Sequence, residues 1–536
     1  MKKIIALLLV LVMSLSLFAG CGTEKPADTT AAPVADGTTV ADDTTAAAPK
    51  DPVTITYWYA NGVGEQEYTD EVEAELNKIL SETEGYEHIT IDLMPCKDYS
   101  TDLTLALSSN AQVDLISTPS YGTTDKIKLG EYMPLDDLIA ANPEITADLP
   151  EWFMEYGKVN GVTYFVPNYQ QMGNGMFWFT RADYAEKAGY TAEQISEIIL
   201  GQDVEERKAM CEALLLAARE IHGGDDKAYL GAHNFAQARA WYSAANNLVD
   251  MSWYTFLFYN TETNKVEWLD DQELLQQVQK VQKEWTDKGY SYEYQQTTEG
   301  FFDSADNGLW TGEVSAVMQM QESYGTNEMV SKNLSEKFGT EVIAVNMIPQ
   351  LILGPSNAAG GVAISATSKH AEDAAKVLAL LFNGKYENFL NTLAYGIEGV
   401  HYNKLTDTTV ETLEFTGSQG GADTTYCYHK WRGGNTFNVW NNQSLSEEQE
   451  EYIIKEINEN PNTLSPLAGF VFDNTNVKTQ IEQCKAVVTE YYEAINYGTM
   501  DDYDAYHTEY VSKMEAAGIR DIIDEYNAQI EAWKAG

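Results

Sequence analysis

The sequence predicts a mixed α/β protein with its folded part divided between at least two lobes. Three observations lead there. Strand-like and helix-like segments alternate from Val53 to Ile116, the same alternation returns at Gly361–Phe382, and roughly 480 residues remain once the low-complexity start is set aside. Alternation of this kind builds a parallel sheet covered by helices, and a chain that long exceeds what one hydrophobic core supports.

Val53-Thr-Ile-Thr-Tyr-Trp-Tyr59 alternates with period two and predicts the first strand. Thr69 is placed to cap a helix, with Asp70 and Glu71 where the helix dipole favours negative charge. Val72, Leu76, Ile79 and Leu80 then form one apolar stripe. Ile89, Ile91 and Leu93 alternate again. Tyr99, Leu103, Ala106 and Leu107 fall at helical spacing, and Val113–Ile116 is a short apolar strand. Later, Gly361–Ser365 predicts a strand, and Ser368 is placed to cap a helix carrying Ala371, Ala374, Ala375, Leu378, Leu381 and Phe382. The C-terminal part is helical, with one stripe through Val477, Ile481, Val488, Tyr491 and Tyr492. A second stripe runs through Ile519, Ile522, Ile523, Tyr526, Ile530 and Trp533. No repeat of 20–50 residues is visible.

The start of the chain is an address. Lys2 and Lys3 precede an apolar run from Ile4 to Phe18 and then Ala19-Gly20-Cys21, the layout of a secretory signal. Small residues directly before Cys21 fit the cleavage site of bacterial lipoproteins, in which the cysteine carries the lipid; Phe18 departs from the usual leucine. Ordinary signal cleavage is the alternative. Residues 22–52 are Thr/Ala/Asp/Pro-rich without an aromatic side chain, so they bury too little to offset ordering and form a tether. Beyond the signal no segment approaches eighteen consecutive apolar residues, the length a transmembrane helix needs.

With 82 acidic and 34 basic residues the formal charge is −48, which repels phosphate backbones and excludes nucleic acid as a natural partner. Besides Cys21, cysteines stand at 96, 211, 427 and 484, too far apart for a zinc ribbon or a redox pair. Small buried hydrophobes and disulfides are both open readings for them. No metalloprotease, serine-hydrolase, P-loop or dinucleotide-binding motif occurs. Asp303–Gly308 half resembles a calcium loop, but Ala305 and Val314 stand where ligands belong, so no metal is expected.

Several stretches together resemble the family-1 extracellular solute-binding proteins of ABC transporters, in particular the LipO-like lipoproteins with an extra C-terminal region. They are Tyr132–Ile139, Lys158–Pro167, Trp178–Asp183 and Gly361–His370, with Tyr395–Tyr402, Ser465–Phe470 and the last forty residues carrying the subgroup likeness. The resemblance implies a periplasmic-binding-protein-like α/β fold: two lobes, a hinge, a ligand cleft between the lobes and a helical C-terminal region. By this analogy lobe 1 takes 53–165 and 355–395, and lobe 2 takes 166–354 and 396–536. The chain crosses near Tyr164–Asn168, Gly354–Ser365 and Tyr395–Tyr402. The implied function is capture of a small polar solute, an oligosaccharide first among them, for a membrane permease. The chain would act as a monomer held to the outer face of the cytoplasmic membrane by its lipid, with no cofactor and no enzymatic activity. A surface sensor or adhesin is the alternative, and a glycoside hydrolase the next, because two carboxylates placed by the fold suffice for one.

A sugar site needs planar polar groups and flat apolar faces, and the chain has 11 Trp and 33 Tyr. Ligands on open α/β sheets sit beyond the carboxyl ends of the strands. That rule nominates Trp58, Tyr59 and Asn61 after the first strand and Tyr121 after the third. It adds Asn168, Tyr169 and Gln170 at the first crossing, Gln319, Glu322 and Tyr324 after a strand at Val314–Met318, and Glu398 at the third crossing. Trp431, Arg432 and Trp440 come from a compact polar-aromatic run. Each has a packing alternative: Tyr57 and Tyr59 as core with Trp58 on the opposite face, Asn168–Gln170 as turn residues, Arg432 paired with a carboxylate.

Overall fold

In the computed structural model, the described residues are 50–118, 123–172, 177–224, 230, 248–252, 257–291, 315–319, 325–347, 360–413, 424–442, 446–460, 465–467 and 469–535. The signal, Cys21, the tether to residue 49 and Asp303–Gly308 lie outside them.

The first lobe is built as the alternation predicts. Its elements are β1 (Val53–Ala60), α1 (Thr69–Glu82), β2 (Ile89–Cys96), α2 (Tyr99–Ser108), β3 (Leu115–Thr118), β4 (Phe165–Pro167), β5 (Gly361–Ile364), α3 (Ala371–Phe382) and α4 (Glu387–Tyr395). The sheet order is β2-β1-β3-β5-β4. β1 runs parallel to β2 and β3, whereas β5, arriving from the other lobe, is antiparallel to both β3 and β4. Alternation sorts side chains to two faces. Ile55, Tyr57 and Tyr59 face α1, α3 and α4, and Trp58 faces α2 with Cys96, Leu103 and Ile116.

Two predicted caps take other partners. Thr69 is the first helical residue of α1, and its hydroxyl accepts from Gln66 N at 2.9 Å. Ser368 lies three residues before the first residue of α3 and donates at 2.6 Å to Asp114, a fully buried carboxylate that also accepts from the Thr56 N–H and from Gln112. A buried charge needs such donors, so Asp114 claims Ser368 and ties β1, β3 and the turn after β5 together.

The second lobe contains two three-stranded antiparallel sheets. One has Phe177–Arg181 between Ala316–Gln319 and Val342–Asn346; the other has Leu257–Asn260 between Leu248–Ser252 and Lys265–Trp268. Helices Val204–His222 and Glu273–Asp287 pack on them. Its core continues into three C-terminal helices, α5 (Lys478–Tyr497), α6 (Tyr503–Ala517) and α7 (Ile519–Ala535), which bury Cys484, Tyr491, Met514, Ile522, Tyr526 and Ile530 in it. The C-terminal region is thus part of the second lobe's core, and both predicted stripes face it; Trp533, at 40% exposure, meets only the edge of Phe470.

Residues 396–440 do not follow the predicted division. Tyr402, Val410, Tyr426, Tyr428, Val439 and Trp440 are buried in the first lobe's core, beside Tyr57 and Leu390. The third crossing therefore lies between Trp440 and Leu467 rather than at Tyr395–Tyr402. The segment was misread because it has little periodic structure of its own. Between its short strands Tyr402–Lys404 and Val410–Thr412 and its two 3-10 turns, its place is set by long-range aromatic packing.

The four described cysteines are buried, and no disulfide joins any two of them. Among the described residues no helix is long and apolar enough to cross a membrane.

Candidate functional site

The carboxyl ends of β1 and β3 and the end of β4 converge on the loop Tyr426–Asn438. Hydrogen bonds from three directions fix that loop. Tyr57 and Tyr428 share a hydroxyl–hydroxyl bond of 2.9 Å, and the Tyr428 hydroxyl also donates to Gly433 O at 2.9 Å. From the end of β4, Asn168 donates to Trp431 O and accepts from Gly434 N, both at 3.1 Å. Ser117 of β3 donates to Arg432 O at 2.7 Å, and its own carbonyl accepts from the Tyr99 hydroxyl at the start of α2. Gly433 is needed for close approach: a Cβ there would collide with the hydroxyls of Tyr57 and Tyr428.

While the loop backbone is held, Trp431 and Arg432 keep polar atoms that the loop does not use. Trp431 and Arg432 are half-buried. The guanidinium lies 4.3 Å over the Trp431 ring, and the His429 ring stands 5.6 Å from it, tilted by 30°. Trp431 Nε1, Arg432 Nε and the Thr118 hydroxyl at the end of β3 are buried, with no hydrogen-bond partner among the described residues. Buried polar atoms in folded proteins are nearly always paired, and each orphan costs about 1–3 kcal/mol. Burial lowers the Arg432 pKa below its ordinary value, opposed by Tyr99 and Tyr428. Two donors and a hydroxyl beside an indole face match the edge and face of a polyol.

The other predicted residues are placed differently. Trp58 donates to Gln112 O at 3.3 Å and lines a cavity of about 630 Å³ between β2 and α2, with Met94, Cys96 and Leu105. Tyr59 is 1% exposed and packs edge-on against Tyr428 at 5.1 Å, so it supports the loop from the core. Asn61 is a turn residue, accepting from Val63 N and Gly64 N and donating to Gly64 O. Asn168 is fully buried and positions the loop. Tyr169 packs between Phe153 and Phe437. Half-buried Gln170 uses its carbonyl to accept from Asn458. Glu398 is exposed on a turn before Tyr402. Trp440 lies in the core, 5.9 Å from Tyr402 and beneath the Lys404 ammonium at 3.9 Å. Gln319 ends its strand opposite Phe177. Tyr121, Glu322 and Tyr324 lie outside the described residues.

The sequence reading missed Tyr99, Ser117, Thr118 and Tyr428. A signal for part of this was present. The Gly433-Gly434 pair directly after Trp431-Arg432 marks a backbone that something approaches closely, and Ser117-Thr118 is the polar end of an apolar strand. Among the described residues no group of three or more His, Cys, Asp or Glu side chains could hold a metal.

A family model described as a domain of unknown function, DUF3502, matches residues 466–535. A carbohydrate ABC transporter substrate-binding protein from Streptococcus pneumoniae is 24% identical over 472 residues, 86% of this chain and 87% of that one. The crystal structure of an N-glycan transport solute-binding protein, also from Streptococcus pneumoniae, matches 90% of this chain and 99% of its own. The identity is 20% and the TM-score 0.65. An HMO-binding, ABC-transporter-associated solute-binding protein from Bifidobacterium longum infantis matches 90% of this chain and 99% of its own at 12% identity, with a TM-score of 0.58. The resemblance read from the sequence is borne out, and the fold is the two-lobed α/β fold of solute-binding proteins.

Proposed function

We propose that this chain is the substrate-binding component of an ABC importer, capturing an oligosaccharide between its two lobes and delivering it to a membrane permease. The observation that carries the reading is the pairing of a held backbone with unspent side chains at the carboxyl end of the first sheet. Trp431 Nε1, Arg432 Nε and the Thr118 hydroxyl have no hydrogen-bond partner among the described residues. A ligand rich in hydroxyls supplies the missing acceptors and donors, and the indole face covers its C–H side. Gln319, Glu322 and Tyr324 are the second lobe's contribution in this reading, Tyr121 completes the first lobe's wall, and closure of the lobes around the sugar yields the state the permease accepts. A carbohydrate-transport relative matched over 87% of its length, and the shared fold, support it.

The chain works as a monomer, anchored outside the cytoplasmic membrane by a lipid on Cys21, with residues 22–52 as its tether. It binds its sugar and returns it unchanged.

Thermal unfolding of the full chain against an oligosaccharide panel, with peptides alongside, tests this. A ligand at a hundredfold excess over its dissociation constant stabilises the folded state by about 2.7 kcal/mol. A shift with one sugar class that is lost in Trp431→Ala, with the sugar recovered intact, is the expected result. A shift with peptides alone overturns the substrate class. A sugar hydrolysed during the titration overturns the binding role.

A further inference from the structure

The Trp431–Arg432 pair has a second property that sets Arg432 apart from Arg181, Arg207 and Arg520. Arg181 pairs with Asp183, and Arg520 with Asp271 and Glu515. Arg207 donates to the carbonyls of Ile199 and Gly201. Among the described residues no carboxylate lies within ion-pair distance of Arg432, although the chain has 82 acidic residues to 34 basic ones. Among the described residues, Trp431, Tyr99, Tyr428 and Cys427 stand around the Arg432 guanidinium, and none of them is a carboxylate.

A cation withdrawn from water without a counter-ion is costly, and folded chains rarely leave one so. Even in a chain this acidic, among the described residues the acidic side chains stand away from this guanidinium. The Trp431 indole beneath it holds its plane, and a planar guanidinium presents a fork of donors matched to a carboxylate. At ordinary ionic strength the negative surface is screened beyond about 8–10 Å, so the overall charge slows the approach of an anion without cancelling a local pair.

Resting on the saccharide reading above, we propose that Arg432 receives a carboxylate of the ligand, so that the preferred cargo is an acidic oligosaccharide containing a uronate or sialate residue. Trp431 covers the apolar face of that residue or its neighbour, and Arg432 supplies the charge that selects it.

The test compares binding by the full chain of glycan fragments bearing glucuronate, galacturonate or sialate with the same fragments after reduction of the carboxyl to the alcohol. Isothermal titration is run on the parent, Arg432→Gln and Arg432→Lys. Charge-assisted bonds of this kind translate into roughly tenfold to a hundredfold in affinity. In the parent, one acidic fragment is expected to bind tighter than its reduced partner by that factor. Arg432→Gln should bring the ratio between acidic and reduced fragments toward one, whatever binding of both it loses, and Arg432→Lys should recover part of that ratio. Equal binding of the two forms overturns the acidic assignment and leaves the saccharide reading standing. Binding of no fragment in either form, acidic or reduced, overturns both. Unchanged melting temperatures of the unliganded variants separate loss of recognition from loss of fold.

Discussion

The buried side chain of Asn458 holds the backbone at Met172 from both sides: its Oδ1 accepts from Met172 N at 3.0 Å, and its Nδ2 donates to Gln170 O at 2.9 Å. Asn458 ends a single π-helical turn, Ile453–Asn458, between the two lobes' share of the chain. Met172, still in the first lobe's core, is the last described residue before Phe177 of the second lobe, so the first crossing lies after Met172 rather than near Tyr164–Asn168. One amide thus ties the third crossing to the first.

Replacing that amide leaves both backbone groups unpaired. Asn458→Ala is expected to cost about 1–3 kcal/mol in urea-induced unfolding. Asn458→Asp, which keeps the acceptor and loses the donor, should also destabilise. Wild-type stability in the alanine variant would show that the amide does not hold the crossing.

Close packing at Gly433 gives a second expectation. The added methyl of Gly433→Ala collides with the hydroxyls of Tyr57 and Tyr428, an overpacking cost of about 1–3 kcal/mol. Removing one hydroxyl in Tyr428→Phe relieves part of the clash, so the double variant should fall short of the sum of the two single losses. Additive losses would show that the two sites do not touch.

Across the lobes, Lys128 and Asp473 pair at 2.8 Å. Lys128, with the Thr475 hydroxyl and N–H, draws the Asp473 carboxyl from 3.8 down to about 2. A depressed carboxyl stabilises the fold above its unfolded value, and that contribution fades as pH falls from 3.8 through about 2. Both groups are solvent-exposed, so the effect is small and shrinks in salt. Asp473→Asn should therefore flatten the low-pH limb of a stability profile at low ionic strength and leave the profile at 1 M salt unchanged.

Burial raises the thiols of Cys96 and Cys211 to about 12 and that of Cys484 to about 11. Thiolate is the reactive form, so a disulfide reagent at neutral pH is expected to find these cysteines silent in the native protein. They should become reactive as the protein unfolds in denaturant. Fast labelling of any of them in the native state would contradict the burial described.

The first lobe's frame was legible because period-two and period-3.6 stripes report directly on which side of an element is buried. β1 through β3 and the helix Ala371–Phe382 came from such stripes. Caps were less legible: a threonine or serine before a helix announces a hydroxyl, not its partner, and Gln66 and Asp114 claimed those at 69 and 368. The site was legible in part. Trp431 and Arg432 were nominated from composition, whereas Tyr59 and Trp440 have the same composition and went into the core. Which aromatic stays open depends on contacts hundreds of residues away, such as Asn168 to Gly434, and no local window carries that information.

The interleaving of the two cores bears on how the protein is made. The first lobe's core needs side chains from Ile55 to Trp440, and the second's needs side chains from Phe177 to Ile530. A chain emerging N-terminus first cannot complete either lobe until most of its length is available, so neither can finish as an early, independent folding unit. Contacts this distant in sequence make for slow folding. During that interval β1, β2 and β3 are synthesised long before β5, leaving one side of β3 unpaired, and an exposed strand edge is a template for wrong partners.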